Sequence, residues 1–193
     1  GDVRYVDMDS DGDIDADDRT IVGSYFPDYT IGGNLNVKYK FIDLGIAVSS
    51  VQGNEILNLH RRYSYNVTGN FNQLAGAVNR WVSEDNPGDG QTMRAKSSTG
   101  RNTLISTRFV EDGSFVKIQN ISLGLTLPSK VLEQFKISQA RLSVNVQNPF
   151  IWTKYTGYNP EVNARPNKPS SAGEDYGSYP IAKVFTVGIN VTF

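Results

Sequence analysis

Five separate segments of this chain place an apolar side chain at every second residue, the period of a β-strand with two unlike faces. In residues 29–39 the odd positions are Tyr29, Ile31, Gly33, Leu35, Val37 and Tyr39, against Thr30, Gly32, Asn34, Asn36 and Lys38. In 42–48, Ile42, Leu44, Ile46 and Val48 oppose Asp43, Gly45 and Ala47. In 121–127, Ile121, Leu123, Leu125 and Leu127 oppose Ser122, Gly124 and Thr126. In 139–147, Ala140, Leu142, Val144 and Val146 alternate with Gln139, Arg141, Ser143, Asn145 and Gln147. In 184–193, Phe185, Val187, Ile189, Val191 and Phe193 alternate with Thr186, Gly188, Asn190 and Thr192. Alternation of this kind fits any antiparallel sheet with one wet face.

A soluble β-sandwich satisfies the same pattern. Three further features favour a membrane barrel. Connection lengths alternate: strands one and two meet near Lys40–Phe41, and strands three and four through Pro128–Phe135, whereas 52–114 and 148–182 are long. Outer-membrane barrels alternate short periplasmic turns with long extracellular loops, and compact soluble domains rarely carry two such connections. Aromatic residues cluster at strand ends, with Tyr25, Phe26 and Tyr29 before strand one, Tyr39 and Phe41 after it, Phe115 ahead of strand three, and Phe150 and Trp152 after strand four. Amphipathic rings at both ends suit two membrane interfaces. The last strand finishes on Phe193, similar to the terminal aromatic by which outer-membrane proteins are recognised for assembly. If that strand ends in the periplasm, 1–27, 52–114 and 148–182 are extracellular. The expected fold is therefore all-β: antiparallel strands of a large transmembrane β-barrel, about five strands of its C-terminal portion, with long extracellular loops. The segments are an acidic loop at 1–27, a strand pair at 28–51, a loop at 52–114, a strand pair at 115–147, a loop at 148–182 and a terminal strand at 183–193. Residues 71–82, FNQLAGAVNRWV, are expected to hold a short helix within the first long loop.

Composition removes other classes. Lysine plus arginine is 19 and aspartate plus glutamate is 20, so the basic footprint of a nucleic-acid partner is missing. With no cysteine and a single histidine, His60, thiolate sites and multi-histidine zinc sites are excluded. No 18-residue apolar run offers a transmembrane helix, which leaves a barrel open. No nucleophile motif or partnered carboxylate pair stands out, so no enzyme is expected.

The stretch VDMDSDGDIDADDRT at 6–20 concentrates seven carboxylates around one glycine. Read as a twelve-residue loop from Asp7, positions 1, 3 and 5 are Asp7, Asp9 and Asp11. Position 6 is Gly12, where the turn needs positive φ. Position 7 is Asp13, offering its carbonyl, position 9 is Asp15 and position 12 is Asp18. This is the spacing of an EF-hand-type loop, and its hard oxygen donors favour Ca²⁺ over zinc or copper. Position 12 is Asp rather than Glu, so its reach is shorter. A solvated acidic turn without metal is the competing reading.

With these features in hand, the chain resembles the C-terminal part of a SusC/RagA-type TonB-dependent outer-membrane transporter. The matching pieces are GDVRYVDMDSDGDIDADDRTIVG at 1–23, PDYTIGGNLNVKYKFIDLGIAVSSVQGNEI at 27–56, NRWVSEDNPGDG at 79–90, DGSFVKIQNISLGLTLPSKVLEQ at 112–134, ARLSVNVQNPFIWTKYTGYNPEVN at 140–163 and AKVFTVGINVTF at 182–193. The resemblance implies a barrel of about 22 strands with an N-terminal plug. It also implies import of an oligosaccharide or peptide, energy from TonB through an upstream region, and a SusD-like surface lipoprotein as a lid. The location it implies is the cell outer membrane, in contact with its lipid. Five strands cannot close a barrel, so the chain is expected to be a fragment, or one chain of a larger assembly. Asn34, Asn36, Lys38, Arg141, Asn145 and Gln147 are expected on the lumen side. The alternative is a secreted, calcium-stabilised β-sandwich that binds carbohydrate.

Overall fold

The structure is a computed structural model that describes residues 1–68, 72–96, 100–162, 168 and 171–193, the side chains of residues 129, 130 and 135 excepted. In chain order its strands are β1 (Tyr29–Tyr39), β2 (Ile42–Gln52), β3 (Glu55–Asn58), β4 (Val110–Asp112), β5 (Phe115–Thr126), β6 (Gln139–Thr153), β7 (Glu174–Asp175) and β8 (Val184–Thr192). The described residues cluster into two units.

The first unit (residues 26–55, 112–161 and 179–193) is built on one five-stranded antiparallel sheet in the order β1-β2-β5-β6-β8. Neighbouring strands pair through nearly their whole length, except that β8 covers β6 only from Gln139 to Gln147. The register carries the sequence alternation across all five strands. One row reads Leu35, Ile46, Ile121, Val146, Phe185, and the next reads Val37, Leu44, Leu123, Val144, Val187. The opposite face carries Asn36, Gly45, Ser122, Asn145 and Thr186 in one row, and Lys38, Asp43, Gly124, Ser143 and Gly188 in another. A one-residue slip between any two strands would mix these faces, so burial of one face specifies the register.

The apolar face is open. Phe185, Val187 and Ile189 are 72%, 68% and 76% exposed, and Ile31, Leu35, Val37, Leu123 and Leu142 are exposed as well. A sandwich would hide this row beneath a second sheet. Aromatic rings bound it. Phe150 and Trp152 stack at 5.8 Å between centroids at one end. Tyr39, Phe41 and Phe193 are exposed at the other. Across the eleven residues of β1, a rise of about 3.3 Å per residue and a tilt of about 40° give roughly 25 Å of height, the thickness of a barrel's lipid band.

Three strands run further than the alternation predicted, each for a local reason. In β5 the register shifts between Ile118 and Asn120, so the outward set changes from Leu125, Leu123 and Ile121 to Ile118 and Val116. An added residue inverts the parity beyond a bulge. In β6, Asn148 takes a φ of 50° before Pro149, and pairing resumes at Phe150. In β2 the parity persists to Gln52, but Ser50 and Gln52 replace apolar residues at its end. There both side chains reach the Phe115 carbonyl, the Ser50 hydroxyl and the Gln52 amide each donating at 3.1 Å.

On the wet face, Arg141 on β6 reaches over β5 to Asp43 on β2 and donates to both carboxylate oxygens at 2.7 Å. Gly124 makes this possible: a Cβ there would lie 2.3 Å from the Arg141 guanidinium and 2.6 Å from the Asp43 carboxylate. Lys117 is 7% exposed and is compensated by Glu161, whose two oxygens accept from it at 2.8 and 2.7 Å. A buried ammonium requires such a partner.

The second unit (residues 1–25, 56–111 and 162–178) is held by a short sheet, β4-β3-β7, and by α1 (Leu59–Ser64). Its apolar centre is small, chiefly Ile56, Leu59 and Phe109. Polar contacts supplement it. Asn58 caps α1 by accepting from the Arg61 N–H at 2.8 Å, and its amide donates to Glu111 at 3.1 Å. Arg61 pairs with the same Glu111 oxygen at 3.1 Å. Asp175, fully buried, accepts from the Gly177 and Ser178 N–H groups at 2.8 and 2.7 Å. The helix expected over 71–82 is reduced to a 3₁₀ turn at Ala75–Asn79, with residue 71 outside the described residues. Leu74 and Val78 of that stretch are exposed, so no apolar face is buried to hold a longer helix.

The two faces make unequal demands. In the full-length receptor folded into lipid vesicles, Val187→Arg places a charge on the apolar face and should lower stability by about 2–4 kcal/mol. Thr186→Arg, one residue earlier on the wet face, should cost well under half as much. The urea midpoint of each variant decides it; equal losses would contradict the facing.

Candidate functional site in the acidic loop and the sheet

The acidic loop brings three of its carboxylates together. Gly12 takes a φ of 91°, as position 6 requires. Asp7, Asp9 and Asp11 each bring a carboxylate oxygen within 4.8 Å of the others. The loop also hydrogen-bonds to itself. Asp7 accepts from the Ser10 N–H at 2.6 Å and the Gly12 N–H at 2.9 Å, and Asp11 accepts from the Asp13 N–H at 2.8 Å. The Gly12 N–H first, and the Ser10 N–H after it, hold the Asp7 carboxyl below its usual pKa. Asp18 joins the two ends of the loop, accepting from the Met8 N–H at 2.6 Å and the Asp15 N–H at 2.8 Å. Asp13, Asp15 and Asp18 stand outside the three-carboxylate group. A carboxylate oxygen has more than one lone pair, so acceptance from a backbone N–H leaves capacity for a hard cation.

A second aspartate organises a turn. Asp89 accepts from the Gln91 and Thr92 N–H groups at 2.8 and 2.6 Å and from the Thr92 hydroxyl at 2.7 Å. These bonds, the Thr92 N–H first, lower its pKa. The alternation is silent on this turn; Asp89-Gly90 signals it only as a turn-forming pair.

Asn34, Asn36, Lys38, Arg141, Asn145 and Gln147 share the polar face, as their strand parity implies. Two pairs escape a sequence reading, Asp43–Arg141 and Lys117–Glu161. Asp43 and Arg141 both sit in the polar set, but only the sheet order places them astride Gly124. Lys117 sits beyond the β5 bulge, where parity is inverted.

A two-faced antiparallel sheet with one open apolar face, bounded by aromatics at both ends, has the features of an outer-membrane β-barrel wall. No protein-family model matches the chain. TonB-dependent receptor P3 of Formosa agariphila is 34% identical over 98% of this chain and 19% of that protein. TonB-dependent receptor SusC of Bacteroides thetaiotaomicron is 26% identical over 98% of this chain and 17% of that protein. The RagAB peptide transporter structure superposes with a TM-score of 0.78 at 26% identity, over 94% of this chain and 19% of that one. The chain thus spans about a fifth of the length of these relatives. It belongs to the SusC/RagA-type TonB-dependent receptors, proteins of the outer membrane. These relatives are named as receptors and transporters rather than as enzymes.

The Asp89 turn gives a pH test. Its folded pKa lies below the ordinary value of 3.8, so its contribution is complete above pH 3.8 and is lost as pH falls through the folded value. Amide exchange at residues 91 and 92 of the full-length receptor, corrected for intrinsic rates, should be protected at pH 5 and should lose that protection progressively as the pH is lowered below 3.8. Asp89→Asn should remove most protection at pH 5. Unchanged protection in the variant would refute the assignment.

Proposed function

We propose that this segment supplies five wall strands and outer loops to a TonB-dependent importer of nutrients, an oligosaccharide or a peptide. The five-stranded sheet carries the reading: its apolar rows suit lipid, and its Asn, Ser, Lys, Asp and Arg rows suit a wet lumen. Loop length supports an orientation. β1 and β2 join through two residues, 40 and 41, whereas β2 and β5 are separated by 53–114, and β6 and β8 by 154–183. Short turns lie in the periplasm and long loops outside in barrels of this kind. On this reading the long loops contribute to the outer vestibule and to the surface that receives a SusD-like lipoprotein. Coupling to TonB runs through other parts of the receptor.

Calcium is the proposed occupant of the acidic loop. Asp7, Asp9 and Asp11 would hold it, with the Asp13 carbonyl and the Asp15 and Asp18 carboxylates completing the set. The ion supplies charge neutralisation, which ties down a loop with seven carboxylates. Extracellular calcium modules bind with affinities of about 10⁻⁴–10⁻³ M.

Two measurements test these proposals. Cysteines placed singly at residues 89 and 172 of the full-length receptor should react with an impermeant maleimide on intact cells, and one at Lys40 only after the outer membrane is opened; the reverse pattern would overturn the orientation. Calcium at 5 mM, about five times the weak limit of such sites, should protect residues 5–20 from protease. Asp9→Asn with Asp11→Asn should abolish the calcium-dependent part, and unchanged protection would reject the metal.

A further inference from the structure

Beyond the β5 bulge, the register puts Phe115, Lys117, Ile151 and Thr153 on the wet face, at the end of the sheet away from the 40–41 turn. Phe115 and Lys117 are nonetheless buried. The chain that follows β6 turns back towards them. The Thr153 hydroxyl donates to the Ser114 carbonyl at 2.8 Å and accepts from the Tyr155 N–H at 3.1 Å. The Tyr155 ring lies so close to Gly157 that a Cβ there would be 2.4 Å away. The Glu161 N–H donates to the Asn159 side chain at 2.8 Å, which closes a turn, and both Glu161 oxygens accept from Lys117. A stretch as long as 154–161 could extend roughly 26–29 Å past the strand. Instead Glu161 returns to Lys117, two positions inside the Phe115–Thr153 end of the ladder.

The ion pair is one-sided. Glu161 is exposed, so water reaches the carboxylate, whereas Lys117 is nearly cut off from solvent. Lifting Glu161 away would leave a buried cation without a partner, which is strongly unfavourable. The segment is therefore fastened to the wall. Its own residues divide accordingly. Tyr155 is 5% exposed and Pro160 is buried, while Tyr158 is 62% exposed and Thr156 is exposed. All of these residues belong to the unit built on the five-stranded sheet.

We propose that residues 154–161 form a fixed strap laid inward over the wet face, that Lys117 is the positioning residue that holds it there, and that Thr156 and Tyr158 on the strap are the surface met along this stretch by whatever passes through the lumen. The inference rests on the importer reading, in which the wet face lines the lumen, and adds to it a loop segment that turns in from the rim. The three aromatic side chains near this end then have separate tasks. Trp152 stacks on Phe150 on the apolar face. Tyr155 packs inside the strap against Gly157. Tyr158 presents an exposed ring with a polar tip, which suits contact with a partly polar cargo.

Hydroxyl-radical footprinting of the two tyrosines, read by mass spectrometry on the wild-type, full-length receptor in vesicles, tests the strap without requiring a variant to fold. Tyr155 should be modified at least about tenfold more slowly than Tyr158, because a segment held by a buried ion pair opens rarely. Equal rates would overturn the strap. Lys117→Met leaves a side chain that stays buried without a partner, so the wall is kept while the fastening is lost. In that variant Tyr155 should approach the Tyr158 rate, and unchanged protection would overturn the role of Lys117. Exchanging the charges, Lys117→Glu with Glu161→Lys, should restore protection; failure to do so after a loss in Lys117→Met would assign the loss to packing and overturn the latch. A spin label at position 158 separates this inference from the reading beneath it. Collision with a water-soluble nickel complex in preference to oxygen places the strap on the lumen side. A label that meets oxygen instead, with Tyr155 still protected, sinks the lumen reading. A label that meets nickel, with Tyr155 reactive in the wild type, sinks the strap alone.

Discussion

Hydrocarbon offers a peptide group no hydrogen-bond partner, and that constraint organises this segment. Each unsatisfied N–H or C=O inside a bilayer costs several kcal/mol, so a spanning strand must pair along both edges. β2, β5 and the Gln139–Gln147 part of β6 achieve this, each flanked on both sides by an antiparallel neighbour. β1 and β8 have one free edge each within the described sheet, so in lipid each requires a further strand beside it. With the backbone committed to its ladders, only side chains remain to distinguish the two solvents, and the period of two sorts them.

The wet face then acquires freedoms that the lipid face lacks. It can carry small residues, and Gly45, Gly124 and Gly188 leave a low floor on which long polar side chains lie. Arg141 uses that floor to reach Asp43 across an intervening strand. Such a pair belongs where water is excluded from neither ion but each has its geometry fixed. Away from the sheet, the second unit relies less on apolar burial than on aspartate and asparagine side chains that satisfy loop backbone: Asp7, Asp18, Asp89, Asp175 and Asn58 all accept from main-chain N–H groups.

Much of the sheet was legible in the sequence. Strand β1 is read to both ends, because eleven residues keep one parity without interruption. β5 and β6 are read only on one side of their bulges, since a single extra residue at Gln119 inverts the code and Asn148-Pro149 breaks it. The acidic loop announced its turn at Gly12 and its convergent first three aspartates. It did not announce that Asp18 would bond the backbone at both ends of the loop, because hydrogen bonding to Met8 and Asp15 depends on loop closure.

The account stands on odd-numbered side chains of β8 meeting lipid while even-numbered ones meet water. Spin labels at single positions from 184 to 192 in the full-length receptor, reconstituted in vesicles, measure this directly through collision with oxygen and with a water-soluble nickel complex. Collision with oxygen should peak at 185, 187, 189 and 191, and collision with nickel at 186, 188 and 190. A profile without that two-residue oscillation, or odd positions shielded from both reagents, would contradict it.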